Sequence, residues 1–235
     1  MNTAIILSGG VGTRMGTACP KQYLTVNGQP IIAYAMAIFE SHPMIDHIVI
    51  VASEEWHALI EEWIAKKNIT KFAGFAPAGR TRQHSIFNGL LASEGCTPAD
   101  GVVIIHDAAR PLTAHSIITD CLIGAKEDGG AMPVITVKDT TYFSRDGKQI
   151  DQLLDRSCLY AGQAPEAFRF GEYLAIHRTV SDEEIAQTVG TSQIAHKHGM
   201  KVRLVKGSER NIKITTIEDL NTFEVILAEQ EKGGM

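Results

Sequence analysis

Four short runs of the chain are apolar almost without interruption: Thr3 to Leu7, His47 to Ala52 (HIVIVA), Gly101 to Ile105 (GVVII) and Ala131 to Val137. A strand with one face in water alternates polar and apolar residues, whereas a run with nothing polar to turn outward must be covered on both faces. Segments with helical spacing separate the runs: Ile31 to Phe39, Glu54 to Lys67, Gln83 to Ala92 and Ser116 to Lys126. This alternation predicts an α/β fold, a doubly wound, mostly parallel sheet with helices on both faces. In such sheets ligands bind beyond the carboxyl ends of the strands. The residues that follow Leu7 and Ile105 are therefore the first place to look for chemistry.

From Lys138 the pattern changes. Thr140 to Phe143, a turn at Asp146-Gly147 and Gln149 to Leu153 predict a β-hairpin, an arm inserted at about residues 138–160. Beyond it, Glu183 to His198 reads as helical with an interruption at Gly190, Lys201 to Val205 as a strand and Ile217 to Glu231 as a closing helix. There is no internal repeat and no low-complexity linker, so one domain over residues 1–235 with an inserted arm is expected.

The formal charge of −5 argues against nucleic acid as a partner, and 44% hydrophobic with 21% charged residues is ordinary globular composition. Cys19, Cys96, Cys121 and Cys158 form no CxxC pair, which disfavours a zinc or redox site. His196 and His198, two apart, suit one helical metal site poorly. Met1 runs directly into an apolar strand with no signal-peptide pattern, and no run is long enough to span a bilayer, so a cytoplasmic enzyme with no membrane partner is expected.

The stretch Leu7 to Leu24 reads LSGGVGTRMGTACPKQYL. Its glycines Gly9, Gly10, Gly12 and Gly16 let backbone N–H groups approach phosphate oxygens, and Arg14 and Lys21 add cations beside them. A triphosphate needs that combination, a backbone cradle with point charges for the attacked phosphorus. The spacing fits neither a dinucleotide-binding fingerprint nor a Walker A loop; a turn with incidental glycines is the alternative. His106-Asp107-Ala108-Ala109-Arg110-Pro111 follows the third strand, where Asp107 could hold Mg²⁺, cap a helix or pair with Arg110. His106 reads as structural. In Asn211-Ile212-Lys213-Ile214-Thr215-Thr216, Lys213 is a candidate second cation and Thr216 a helix cap. Arg80, Arg82 and Ser85 either read a base or are solvated.

These segments resemble one family. GGVGTRMG, PKQY, the Arg82 to Leu90 segment, HDAARP and NIKITT stand in the order and spacing of the IspD/TarI-like cytidylyltransferases, whose members act on 2-C-methyl-D-erythritol 4-phosphate and D-ribitol 5-phosphate; the likeness runs from Ile5 to about Leu227. It implies a Rossmann-like nucleotidyltransferase fold, a homodimer joined through the β-arm, CTP and a small polyol phosphate as substrates, Mg²⁺ as cofactor and pyrophosphate as product. Carried over by position, Arg14, Lys21 and Lys213 would be catalytic. Leu7, Ser8, Gly9, Gly10, Gly12, Gly79, Arg82, Ser85, Asp107 and Ala108 would bind the nucleotide, with Asp107 also at the metal. Arg110, and Thr140 and Arg156 on the arm, would bind the acceptor, the arm residues in the neighbouring subunit's site.

The departures fall on the acceptor side. Gln163-Ala164-Pro165-Glu166 stands where the family usually has QTPQ, so a hydroxyl is lost at Ala164 and a carboxylate gained at Glu166. Val189-Gly190-Thr191-Ser192 lacks an acidic residue expected there. Leu7 to Gly10, Trp56 and Tyr160 to Gln163 look more like the ribitol-phosphate branch, and His106 to Pro111 more like the methylerythritol branch. The expected enzyme uses a polyol phosphate, D-ribitol 5-phosphate first, with 2-C-methyl-D-erythritol 4-phosphate as the alternative. A CTP-binding homologue without turnover and a sugar 1-phosphate nucleotidyltransferase are the other readings.

Overall fold

The computed structural model describes residues 1–10 and 19–233. Strand β1 (Asn2–Leu7) is followed, after the glycine-rich stretch, by a 3-10 turn at Lys21–Tyr23 and a small hairpin, β2 (Thr25–Val26) and β3 (Gln29–Pro30). Then come α1 (Ile31–Ser41), β4 (His47–Ala52), α2 (His57–Lys67), β5 (Phe72–Pro77), α3 (Arg82–Ala92), β6 (Val102–Asp107), α4 (His115–Asp128) and β7 (Gly129–Thr136). The hairpin β8 (Thr141–Phe143) and β9 (Gln152–Leu154) is the arm. It leads to β10 (Tyr160–Gly162), β11 (Glu166–Arg169), α5 (Phe170–Thr179), α6 (Asp182–Gln187), α7 (Thr191–Lys197), β12 (Lys201–Lys206) and α8 (Ile217–Gly233).

The central sheet runs β10-β7-β11-β6-β1-β4-β5, with β12 also paired to β7. Pairings β1–β4, β1–β6, β4–β5 and β7–β12 are parallel, and β10 and β11 enter antiparallel. The fold is thus the doubly wound, mostly parallel sheet that the apolar runs predict. Their lack of polar residues has a direct structural cause. Ala4, Ile6, Ile48, Ile50 and Ile104 pack on one face with Met36 and Phe39 of α1 and Ile118 and Leu122 of α4. Ile5, Val49, Val51, Val103 and Ile105 pack on the other with Ile86 and Leu90 of α3 and Tyr173 and Leu174 of α5. Each side chain so buried contributes about 1.5–3 kcal/mol of transfer free energy, and alternate residues of one strand serve opposite cores.

Several expectations shift. The third strand runs through Asp107 instead of stopping before it, because β1 pairs with it to its end, Leu7 opposite Asp107. The first turn of the Glu54 to Lys67 segment is 3-10, so α2 starts at His57. Glu183 to His198 is two helices, α6 and α7, broken around Gly190. The arm's second strand begins at Gln152, three residues later than expected. The Asp146 carboxylate captures the N–H groups of Lys148 and Gln149, and Gly147 adopts φ +69°, so the loop widens before pairing begins. Strands β5 and β11 and helix α5 had no clear sequence signal. Gly74 and Pro77 interrupt β5, and β11 is only four residues long. Thr216 does cap α8: its hydroxyl accepts the Asp219 N–H at 3.2 Å while the Asp219 carboxylate accepts the Thr216 N–H at 2.9 Å.

Candidate active site

The carboxyl ends of β1 and β6 lie side by side, with Leu7 opposite Asp107 in the parallel register. The Ala108 N–H donates to the Leu7 carbonyl at 3.0 Å and the Ser8 N–H to the Val51 carbonyl at 2.8 Å, so both loops leave the sheet at fixed points. Gly12 and Arg14 lie outside the described residues. The beginning of the glycine loop is well defined. A Cβ at Gly9 would sit 2.6 Å from the Ala78 Cβ, and one at Gly79 would sit 2.4 Å from the His84 Cβ. Only glycine at position 9 lets the two loops pass so close, and only glycine at 79 lets the chain fold back on the start of α3. The Gly79 N–H donates to the Ser85 hydroxyl at 2.9 Å. Gly9 therefore meets the Ala78 to Ser85 segment, remote from it in sequence.

Lys21 is held in place by its neighbours. The buried Gln22 amide donates to the Ser8 carbonyl at 2.7 Å and the Gly10 carbonyl at 2.8 Å, tying the 3-10 turn to the glycine loop. The Tyr23 hydroxyl donates to the Ser8 carbonyl and accepts from the Ser8 hydroxyl, and its ring stacks on Trp56 at 4.1 Å. Burial pushes the Tyr23 hydroxyl up to about 12, so it stays a neutral donor. Gln22 and Tyr23 are functional positions that residue-type reasoning passed over. Their signal was the conjunction of a buried amide and an aromatic immediately after Lys21.

Asp107 is the centre of charge. Its carboxylate receives the Lys213 ammonium at 2.8 Å, the Arg82 guanidinium at 3.2 Å and the Arg110 guanidinium at 3.9 Å. Burial alone would raise its pKa, but Arg82 and Lys213 outweigh that and hold it well below the ordinary carboxylate range. The pairing of Asp107 with Arg110 is real, and it is one part of a cluster of three cations. Arg110 also donates to the Asn211 carbonyl at 2.5 Å. Fully buried Asn211 accepts from the Thr113 hydroxyl at 2.9 Å and donates to the Ala164 carbonyl at 2.7 Å, so it pins the segment that carries Lys213. The Ile214 N–H adds a bond to the Ala109 carbonyl at 2.9 Å. Asn211 is a second positioning residue that the sequence motif contained without revealing its role. His106 is wholly buried, with Nε2 donating to the Arg110 carbonyl; burial lowers its pKa to about 4 and keeps the ring neutral.

Thr140 and Arg156 are not part of this cluster in the single chain. Both are exposed, and Arg156 donates to the Lys138 carbonyl at 2.5 Å within the arm. Among the described residues no hydrogen bond or ion pair joins either to the strand-end residues. The arm exposes Tyr142, Phe143, Ile150 and Leu153, and Tyr142 faces Leu153 across the hairpin. Among the described residues no helix is long and apolar enough to cross a membrane.

A family model described as IspD, 2-C-methyl-D-erythritol 4-phosphate cytidylyltransferase, matches residues 2–229. A ribitol-5-phosphate cytidylyltransferase of Streptococcus agalactiae serotype Ia is 34% identical over 232 residues, covering 98% of this chain and 97% of that protein. A 2-C-methyl-D-erythritol 4-phosphate cytidylyltransferase of Syntrophotalea carbinolica is 39% identical over 225 residues, covering 95% and 94%. Among solved structures, a 4-diphosphocytidyl-2C-methyl-D-erythritol synthase of Anaerococcus prevotii has the same fold, with a TM-score of 0.81 over 97% of this chain and 96% of that one at 22% identity.

Proposed function

The chain belongs to the IspD cytidylyltransferase family and is a nucleotidyltransferase, and from this premise we propose that it transfers CMP from CTP to a small polyol phosphate, D-ribitol 5-phosphate first, with release of pyrophosphate. The observation that carries the reading is the Asp107 cluster. Three cations converge on one carboxylate at the carboxyl ends of β1 and β6, beside a glycine loop tied to Lys21. Cations that a single carboxylate cannot neutralise suit a polyanion such as a triphosphate.

The step is an in-line displacement. An oxygen of the acceptor's phosphate forms a bond to the α-phosphorus of CTP, and the bond from that phosphorus to the bridging oxygen of the β-phosphate breaks. Both electrons leave with pyrophosphate. Lys21 and Lys213 stabilise the negative charge that gathers on the α-phosphoryl oxygens, with Arg14 as a third cation. Leu7 to Gly10, Gly79, Ser85, Arg82 and Ala108 surround the nucleotide, and Arg110 faces the acceptor.

Mg²⁺ fits the donor set. It prefers hard oxygen ligands and is held by one or two carboxylates together with substrate phosphates. Among the described residues no three His, Cys, Asp or Glu side chains gather, and Asp107 is a carboxylate at the end of β6, bonded here to Lys213, Arg82 and Arg110. Asp107 would hold the ion, which neutralises triphosphate charge when bound.

The arm completes the site. An isolated two-stranded hairpin is marginal in water, and an arm with Tyr142, Phe143 and Leu153 exposed is suited to pack against another surface. We assign that surface to a second copy of the chain, with Thr140 and Arg156 brought to the partner's acceptor. Arg156→Ala is then expected to raise the KM for the polyol phosphate about tenfold or more while leaving the KM for CTP near wild type. Loss of CTP affinity alone would contradict the arm assignment.

The Syntrophotalea carbinolica relative favours a second acceptor, 2-C-methyl-D-erythritol 4-phosphate. Pyrophosphate release with CTP, Mg²⁺ and each polyol phosphate in parallel decides between them. We expect the higher kcat/KM with D-ribitol 5-phosphate. The reverse preference would assign the chain to the other branch, and silence with both, with CTP still bound, would overturn the transfer reading.

A further inference from the structure

The two stretches that depart from the family pattern, Gln163 to Glu166 and Val189 to Ser192, are remote in sequence and adjacent in space. Glu166 opens β11 and lies opposite Ile105 of the antiparallel partner β6. Opposite residues share a face of the sheet, and side chains alternate along a strand. Glu166 therefore projects on the same side as Ile105 and Asp107, two residues back from the strand end. Its side chain is only 7% exposed. The Ser192 N–H donates to its carboxylate at 2.8 Å. Next to Ser192, the hydroxyl of fully buried Thr191 accepts from the Arg82 guanidinium at 2.5 Å, so the backbone that Glu166 holds at Ser192 carries an Arg82 contact. The same guanidinium reaches Asp107 at 3.2 Å.

A buried carboxylate is costly unless it is paired and hydrogen-bonded. Here the hydrogen-bond partner is the Ser192 N–H; burial raises the Glu166 pKa, and the charge of Arg82 offsets part of that. Arg82 in turn is held at two points, directly by Asp107 and through Thr191 by Glu166. Pinning at two points fixes a flexible side chain in one rotamer before any ligand arrives. We infer that Glu166 is a positioning residue which, through the Ser192 backbone and the adjoining Thr191, fixes Arg82 on the nucleotide side of the site.

This assignment rests on the reading of Arg82 as a nucleotide contact. Glu166→Gln is the direct test, because it keeps size and an oxygen for the Ser192 N–H while removing the charge. CTP affinity is measured by calorimetry without acceptor, and then kcat and KM are measured for both substrates. We expect CTP to bind about tenfold more weakly and its KM to rise in step, with the acceptor's KM within about twofold. Thr191→Val, which breaks the link but leaves the carboxylate, is expected to weaken CTP similarly. In the double variant Glu166→Gln/Arg82→Lys the losses should not add, since both act through one guanidinium. Glu166→Gln/Thr191→Asp places a carboxylate directly against Arg82 and is expected to regain CTP affinity.

If Glu166→Gln does not fold, as judged by circular dichroism, Thr191→Val carries the test. Folded variants that bind CTP as the wild type does, even with a lowered Tm, would reduce Glu166 to a structural residue and overturn the inference alone. A wild-type chain that binds no CTP would overturn the nucleotide reading of the site and this inference with it.

Discussion

Lys21→Ala is expected to lower kcat about 10²–10³-fold with the far-UV spectrum and Tm unchanged. The 3-10 turn that carries Lys21 is secured by Gln22 and Tyr23. The Gln22 amide bridges the Ser8 and Gly10 carbonyls, and Tyr23 is wedged between Ser8 and Trp56. Truncating Lys21 leaves all of these bonds in place. What it removes is a positive charge held beside the phosphate loop, where charge develops as the α-phosphorus is attacked. A group whose interaction strengthens in the transition state shows its loss in kcat and kcat/KM together, with little change in substrate binding. Stopped-time pyrophosphate release at saturating CTP and acceptor measures the effect. Turnover within a few-fold of wild type would remove Lys21 from the catalytic set.

Asp107→Asn should damage both turnover and stability. The carboxylate is the meeting point of Lys213, Arg82 and Arg110, and it is only 9% exposed. An amide of the same shape leaves three cations crowded around a neutral group. Removing one partner from a buried charge cluster costs about 3–5 kcal/mol, which in a chain of this length lowers Tm by roughly 10 °C. Turnover should fall about 10²-fold or more as well, because under the proposed function the site loses the carboxylate that would hold Mg²⁺ and Lys213 loses its anchor. Thermal unfolding together with pyrophosphate release separates the effects. Wild-type Tm with lost turnover would mean that the cations hold their places without Asp107. Full turnover would exclude it from the site.

Much of this was legible in the chain itself, and the physical reasons are specific. Strands β1, β4 and β6 announced themselves because parallel strands covered on both faces have no polar alternation to blur them. The glycine loop was legible because glycines stand where the chain passes closest, Gly9 against the loop at Ala78. Lys213 stood out as a charge flanked by apolar residues, and Asp107 by its place at a strand end opposite the glycine loop. What stayed hidden depended on register and partners. Asn211 and Gln22 are neutral amides whose value lies in the backbone carbonyls they reach, and nothing local marks those. Strand β11 is too short to show periodicity, so the position of Glu166 against Ile105 could not be read. Its carboxylate was visible in the chain, but its bond to the Ser192 N–H was not. Thr140 and Arg156 were readable as arm residues, but a single chain does not bring them to the strand ends.

The two halves of the proposed site are built on material of very different tolerance. Every residue of β6 is buried, and its neighbours are committed to one core or the other, so a substitution near Asp107 perturbs the whole molecule. The arm is exposed along almost all its length and adds little to either core. Drift in the arm is therefore nearly free of folding penalty, while drift at the nucleotide end is purged by misfolding before activity is ever tested. A lineage of such chains can wander among acceptors while its choice of nucleotide stays frozen, and a laboratory search for new acceptors should begin with libraries in the arm.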